Sequence, residues 1–148
     1  MIKITLPIIP TAQMRARHAN RGGFPVTYKA KKQVESEQGI MQLLEKYRPE
    51  KPLEGAIRIT ICAYLPIPQS KPQWWKDAAD KGYIFHIVKP DKDNLEKNIL
   101  DCMTKLSFWH DDCQIITGLT KKEYSANPRW YIEVDNIYQP KTKKDVGL

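Results

Sequence analysis

Acid gathered in one place by a basic chain is the feature that most restricts this sequence. The 148 residues hold 24 Lys and Arg against 17 Asp and Glu, a net charge of +7. Yet Asp91, Asp93, Asp101, Asp111 and Asp112 crowd into one short stretch that opens Lys89-Pro90 and has Lys97 in its midst. Pro90 biases Lys89 towards extended backbone, and an extended chain through Asp93 would turn Asp91 and Asp93 to the same side, since strand side chains repeat every two residues. From Asn94 the period becomes helical. Leu95, Ile99, Cys102, Met103 and Leu106 share an apolar face, while Asp93, Lys97, Asp101 and Thr104 lie opposite it. Asp93 is placed as N-cap, with Glu96 at capping-box spacing, and the positive end of the helix then adjoins the Asp pair. Taken singly, each feature has an ordinary reading as a cap, an i,i+4 pair or a turn. Converging carboxylates repel one another, however, and a cation is what holds such a group together.

The run from Lys89 through Asp93-Asn94-Leu95, Lys97 and Asp101 to the aromatic linker Phe108-Trp109 and Asp111-Asp112 resembles the signature of RusA-type Holliday-junction resolvases. The matched motif spans residues 89–122, and the opening Ile4-Thr5-Leu6-Pro7-Ile8-Ile9-Pro10 is similar to the family's start. One departure is the Pro- and Trp-rich segment 66–88, longer than in the shortest members. The resemblance implies that Asp91, Asp93 and Asp112 bind catalytic Mg²⁺, with Mn²⁺ as a substitute, and that Lys97 is the essential basic residue beside them. Asp101 would orient Lys97 from one turn away. Asp111 stays open as the alternative to Asp112, because adjacent Asp residues point differently.

The length suits one domain, residues 1–138, with a basic tail over 139–148 expected to be disordered. No apolar run is long enough to span a bilayer and no secretory signal is present, so no membrane partner and a cytoplasmic location are expected. Cys62, Cys102 and Cys113 lack metal-ligand or disulfide spacing and read as reduced. The alternation at residues 2–6 gives a first strand. Arg15, Arg17 and Arg21 with Gly22-Gly23 read as a mobile basic loop suited to phosphate contact. Residues 31–46 read as a helix whose inner side carries Val34, Gln38, Met41 and Leu44 or Glu45. Residues 57–63 form a second strand. Residues 70–81 read as a short helix capped by Ser70, in which Lys71 and Lys76, with Lys89 beyond it, would grip DNA; one of Trp74 and Trp75 anchors this flap to the sheet. Two further strands, at residues 115–120 and 130–134, are expected to pair as a hairpin.

The fold class that follows is α+β: a small mixed sheet of about four strands with two main helices on one side, in the order β-α-β-(α)-α-β-β. The function expected is a Mg²⁺-dependent nuclease on four-way junction DNA. The alternatives are a metal nuclease for flaps or other branched DNA, and a non-catalytic DNA-binding protein. A two-fold substrate that must be nicked on two opposed strands favours a homodimer, as the family resemblance also implies. A helix over residues 94–106 would carry the chain about 20 Å from Asp91 at 1.5 Å per residue. Six residues remain for the return and reach roughly 20 Å at most, so Asp112 would serve its own subunit only through a taut link, or else serve the partner's.

Overall fold

The computed structural model describes residues 1–14 and 17–148. Arg15, and the side chains of Arg17 and Arg21, named above for phosphate contact, lie outside what is described.

A four-stranded mixed sheet organises the chain, in the spatial order β1 (Ile2–Leu6), β6 (Arg129–Asn136), β4 (Ile57–Pro66), β5 (Ile115–Ser125). β6 runs antiparallel to both β1 and β4, and β5 runs parallel to β4. Alternation makes the sheet one-sided. Ile4, Leu6, Ile57, Ile59, Ile61, Trp130, Ile132 and Val134 are buried beneath the helices, while Lys3, Thr5 and Arg58 between them are not. α1 (Lys31–Leu44) and α3 (Lys92–Lys105) cover that face, so the α+β class with two main helices holds.

The expected hairpin of the last two strands is not made, because β4 lies between them. Tyr64 of β4 pairs with Glu123 on one side and Arg129 on the other. Neighbouring strands are about 4.8 Å apart, so the connection from Ser125 to Arg129 must bridge about 10 Å, which four extended steps cover. The parallel β4–β5 pairing contains a register shift between Ile57 and Arg58. It also contains a contact only glycine permits: Gly118 has φ +151°, and a Cβ there would stand 1.7 Å from the Ile59 carbonyl oxygen.

The expected basic loop is partly a second sheet, the hairpin β2 (Arg17–Arg21) and β3 (Phe24–Tyr28). Its turn is Gly22-Gly23, with φ of 59° and 80°, the two positive values a tight primed turn requires. α1 also differs. Its buried side is Gln33, Glu37, Ile40 and Leu44, one position away from the expected Val34 and Gln38, and Val34 is exposed. Apolar periodicity could not find this face, because polar residues fill two of its four places.

α2 (Gln73–Asp80) begins after Pro72 instead of at Ser70. Trp75 is its anchor, edge-on to Tyr124 at 5.4 Å between ring centres, while Trp74 is 68% exposed. The tail beyond Tyr138 is exposed and makes a single 3-10 turn, Lys144–Val146. Among the described residues no helix is long and apolar enough to cross a membrane. Cys62 and Cys102 are buried and Cys113 is exposed, all three free; burial pushes the Cys102 thiol up to about 12.

Candidate active site

α3 starts at Lys92, and Asp91, not Asp93, takes the N-cap position. The extended run through Asp93 and the Asp93–Glu96 capping box are therefore not formed; Asp93 belongs to the first helical turn. Asp91 does not cap through its side chain, and only its carbonyl is used, accepting from the Leu95 N–H at 3.1 Å. Asp91, Asp93, Asn94 and Lys97 nonetheless line one cleft of about 480 Å³, walled on the other side by Lys29 and Gln33 of the α1 region and by Gln13 and Met14. A neighbouring hollow of about 660 Å³ shares Asp91 and Asn94 and adds Lys89. Lys97 has no acid within 4 Å among the described residues. Two carboxylates with no hydrogen-bond partner among the described residues and one ammonium with no acid beside it thus share a concave, exposed site.

Polar residues buried under the cleft hold its walls together. Gln33 donates to Asn98 and to Glu37, each at 3.0 Å, and accepts from the Met14 N–H at 2.8 Å. Asn98 donates to the Thr11 carbonyl at 2.9 Å. Gln13 crosses α3, its N–H on the Asn94 carbonyl at 3.0 Å and its amide on the Asp101 carboxylate at 2.6 Å. Asp101 is thereby committed to Gln13, and no ion pair joins it to Lys97. Glu37 receives both Lys29 and Lys105 at 2.9 Å. Burial pushes its carboxyl up, but the hydrogen bonds from Gln33, Lys105 and Lys29 outweigh burial and bring it down to about 2. Sequence reasoning passed over Gln13, Lys29, Gln33 and Asn98. The available signal was Gln33 and Glu37 standing four apart on a helical face that continues as Ile40 and Leu44.

Past α3 the chain reverses at Ser107, φ 60°. It buries Phe108 and Trp109, with the Trp109 indole N–H donating to the Thr104 hydroxyl at 2.8 Å. Asp111 then caps the 3-10 turn Asp112–Gln114 through the Cys113 N–H, with Gln114 completing the box. Asp111 is thereby engaged as the cap of the turn, and Asp112 supplies the turn's first residue. The backbone N–H of Cys113 holds Asp111 below its usual range, while the hydrogen bond shared with Asp111, and the charges of Asp111 and Asp101, hold Asp112 above its own. Asp112 is not on the wall of the Asp91–Asp93 cleft, and among the described residues no three His, Cys, Asp or Glu side chains gather as metal ligands.

On the flap, Lys71 stands over the Trp75 ring at 5.0 Å. Lys76 lines a separate groove against Ser125 and Pro128. Trp74, Tyr83, Phe85 and Ile87 are all largely exposed.

The family model for endodeoxyribonuclease RusA matches residues 7–135, which include both helix-bearing walls and the whole sheet except β1 and the last residue of β6. The chain belongs to the RusA family. Two relatives are similar to it in sequence. The uncharacterised protein YqaN of Bacillus subtilis strain 168 is 31% identical over 138 residues, covering 92% of this chain and 96% of that protein. A protein of Lactococcus phage r1t named crossover junction endodeoxyribonuclease rusA is 32% identical over 96 residues, 64% of this chain and 66% of its own length. As a RusA-family member the chain is a nuclease, a hydrolase of DNA phosphodiesters, and the non-catalytic alternative falls away.

Proposed function

We propose that this RusA-family nuclease resolves four-way DNA junctions by paired nicks in recombination and repair, acting as a homodimer with Mg²⁺. The observation that carries the reading is the cleft at the start of α3, where the carboxylates of Asp91 and Asp93, unbonded among the described residues, line one wall with Lys97. The name of the phage relative supports the junction as substrate.

The donor set fits a hard cation. Asp91 and Asp93 offer only oxygen, neither is spent on a cap, and the cleft is open enough to leave waters on an ion. Asp91 and Asp93, joined by Asp112, would hold it; bound there, Mg²⁺ or Mn²⁺ supplies an activated water and charge compensation at the scissile phosphate. Lys97 places that phosphate and offsets its developing charge, a task suited to an ammonium not neutralised by any neighbouring acid. Asp101 acts differently from the sequence expectation: by taking the Gln13 amide it ties the 11–14 strap across α3, and so sets the cleft's width. Arg15, Arg17, Arg21, Lys76 and Lys89 serve as phosphate contacts, which position DNA without reading its sequence. Lys71 contributes through its place over Trp75. The exposed rings of Trp74, Tyr83 and Phe85 suit stacking on the unpaired bases that branched DNA offers and linear duplex does not.

The test is incubation of purified protein with end-labelled four-way junction, linear duplex and flap DNA, in Mg²⁺ or in EDTA. Symmetric nicks in the junction alone, and only with Mg²⁺, are expected. Equal cutting of flaps would move the assignment to a general branched-DNA nuclease, and equal cutting of linear duplex would overturn structure selectivity.

A further inference from the structure

Lys122 lies on the covered side of the sheet, where a lysine needs an explanation. Its register partner on β4 is the fully buried Ala63, and Thr120 and Tyr124, two residues either way along β5, are buried too. Strand alternation therefore turns Lys122 inward with them. No acid pairs with it among the described residues. Its ammonium instead donates to two main-chain carbonyls, Val88 at 2.6 Å and Pro90 at 2.9 Å.

Those two carbonyls belong to the segment that delivers Asp91. Tyr83 donates its N–H to the Ala78 carbonyl, and the next backbone–backbone bond made by the described chain is Leu95 to Asp91. Residues 84–90 thus run without any main-chain ladder, held by side chains alone: His86 packs on Tyr124 at 4.8 Å between ring centres, and Lys122 grips the carbonyls. Pro90 has no N–H with which to add a bond of its own. Asp91 is consequently fixed from two sides, by Lys122 through the preceding carbonyl and by Leu95 through its own.

We propose that Lys122 is a positioning residue for Asp91, setting where that carboxylate stands relative to Asp93 and Lys97. The inference rests on the reading of Asp91 as a metal-binding carboxylate. Lys122 touches neither metal nor DNA in this role; it acts at one remove, as groups that orient metal ligands do, and the loss of such a group costs about 10- to 100-fold in metal affinity or activity.

The experiment measures Mn²⁺ affinity from the free-ion electron paramagnetic resonance signal for the wild type, Asp91→Asn, Lys122→Met, Lys122→Arg and the Asp91→Asn/Lys122→Met double variant. Junction affinity in EDTA is read alongside, over a range of salt. Lys122→Met should weaken Mn²⁺ binding about 10-fold or more. The double variant should bind no worse than Asp91→Asn alone, because Lys122 acts through Asp91. Lys122→Arg, whose fork also offers several donors to two carbonyls, should recover most of the loss. Junction affinity and its salt slope should not change. Wild-type Mn²⁺ affinity in Lys122→Met, or losses that simply add in the double variant, would overturn the inference. A salt slope lower by about one phosphate's worth would make Lys122 a DNA contact instead. Should Lys122→Met not fold, Lys122→Gln, which keeps a donor on a shorter stem, takes its place in the same comparison. Failure of the underlying reading has its own signature: Asp91→Asn would itself bind Mn²⁺ like the wild type.

Discussion

Asp91 occupies the position of a helix cap and does not cap. An Asp at an N-cap ordinarily takes a first-turn N–H, a bond whose loss costs about 1 kcal/mol, so a carboxylate withheld from that bond is available for something else. The candidate-site residues Asp91, Asp93 and Lys97 were legible because they sit within seven residues of one another and share one cleft. Gln13, Gln33 and Asn98 were not, because their meaning lies in bonds that span 88, 65 and 87 residues of chain. Asp111 and Asp112 are indistinguishable in the sequence, and the bond that puts Asp111 in the cap, from the Cys113 N–H at 2.9 Å, appears only in the fold. Asn keeps the shape of Asp and removes its charge. Asp91→Asn and Asp93→Asn should therefore each lower the rate of junction cleavage by at least about 100-fold, as loss of a principal electrostatic contributor does, while gel-shift affinity in EDTA stays the same or rises. Cleavage within about twofold of wild type by Asp91→Asn would remove it from the site.

At the scale of elements, apolar alternation located β1, β4, β5 and β6, and the apolar stripe of α3 located that helix to within two residues at its start. What went astray has a common cause. The inner face of α1 was displaced by one position because Gln33 and Glu37 are buried polar residues, and periodicity counts them as surface. The hairpin β2–β3 escaped because β3 is largely exposed and the sequence of the pair carries no alternating apolar signal. The order of β5, β4 and β6 could not be read from a short connection, which bridges two strands as readily as it turns between them. The polar pairing of α1 with α3 makes a pH prediction. Glu37 stands at about 2 in the folded protein against an ordinary 4.5, so the unfolded chain binds the extra proton between these values. The stabilisation is complete above about pH 4.5 and is lost as pH falls towards 2, on the order of 3 kcal/mol for a shift of this size. In urea unfolding, Glu37→Gln should be less stable than wild type at pH 7, because Lys29 and Lys105 lose their shared acid, and that gap should narrow steadily below pH 4.5. A gap independent of pH down to 3 would show that the carboxylate's charge is not what joins the helices.

The whole molecule carries +7, and its reading as a junction enzyme makes that charge a matter of phosphate neutralisation. Each contact made should add about −0.9 to the slope of log affinity against log salt on duplex DNA. Replacing Arg15, Arg17 and Arg21 together by Ala should flatten the slope by up to about three such steps; an unchanged slope would leave the hairpin and its approach without a role in binding. Oligomeric state is the larger question at this scale, and it turns on Asp112. Asp101 lies eight residues beyond Asp93 on α3, about 12 Å along the axis, and the carboxylates that raise Asp112 are Asp111 and Asp101. Asp112 therefore belongs with the far part of α3 and stands off the wall of its own Asp91–Asp93 cleft. In a two-fold dimer the same carboxylate can complete the partner's cleft, which would also explain why one subunit would not suffice. Light scattering should give a dimer at working concentration, and a monomer that still makes paired nicks would defeat this arrangement outright. The sharper test mixes two inactive proteins, Asp91→Asn and Asp112→Asn, under conditions that exchange subunits. With Asp112 supplied across the interface, the mixed dimer holds one site with both substitutions and one with neither, so nicking should return to as much as half of the mixed dimers' sites. With Asp112 serving its own subunit, every site carries one substitution and the mixture stays dead. In that outcome the 107–112 link must draw Asp112 towards Asp91 when DNA binds.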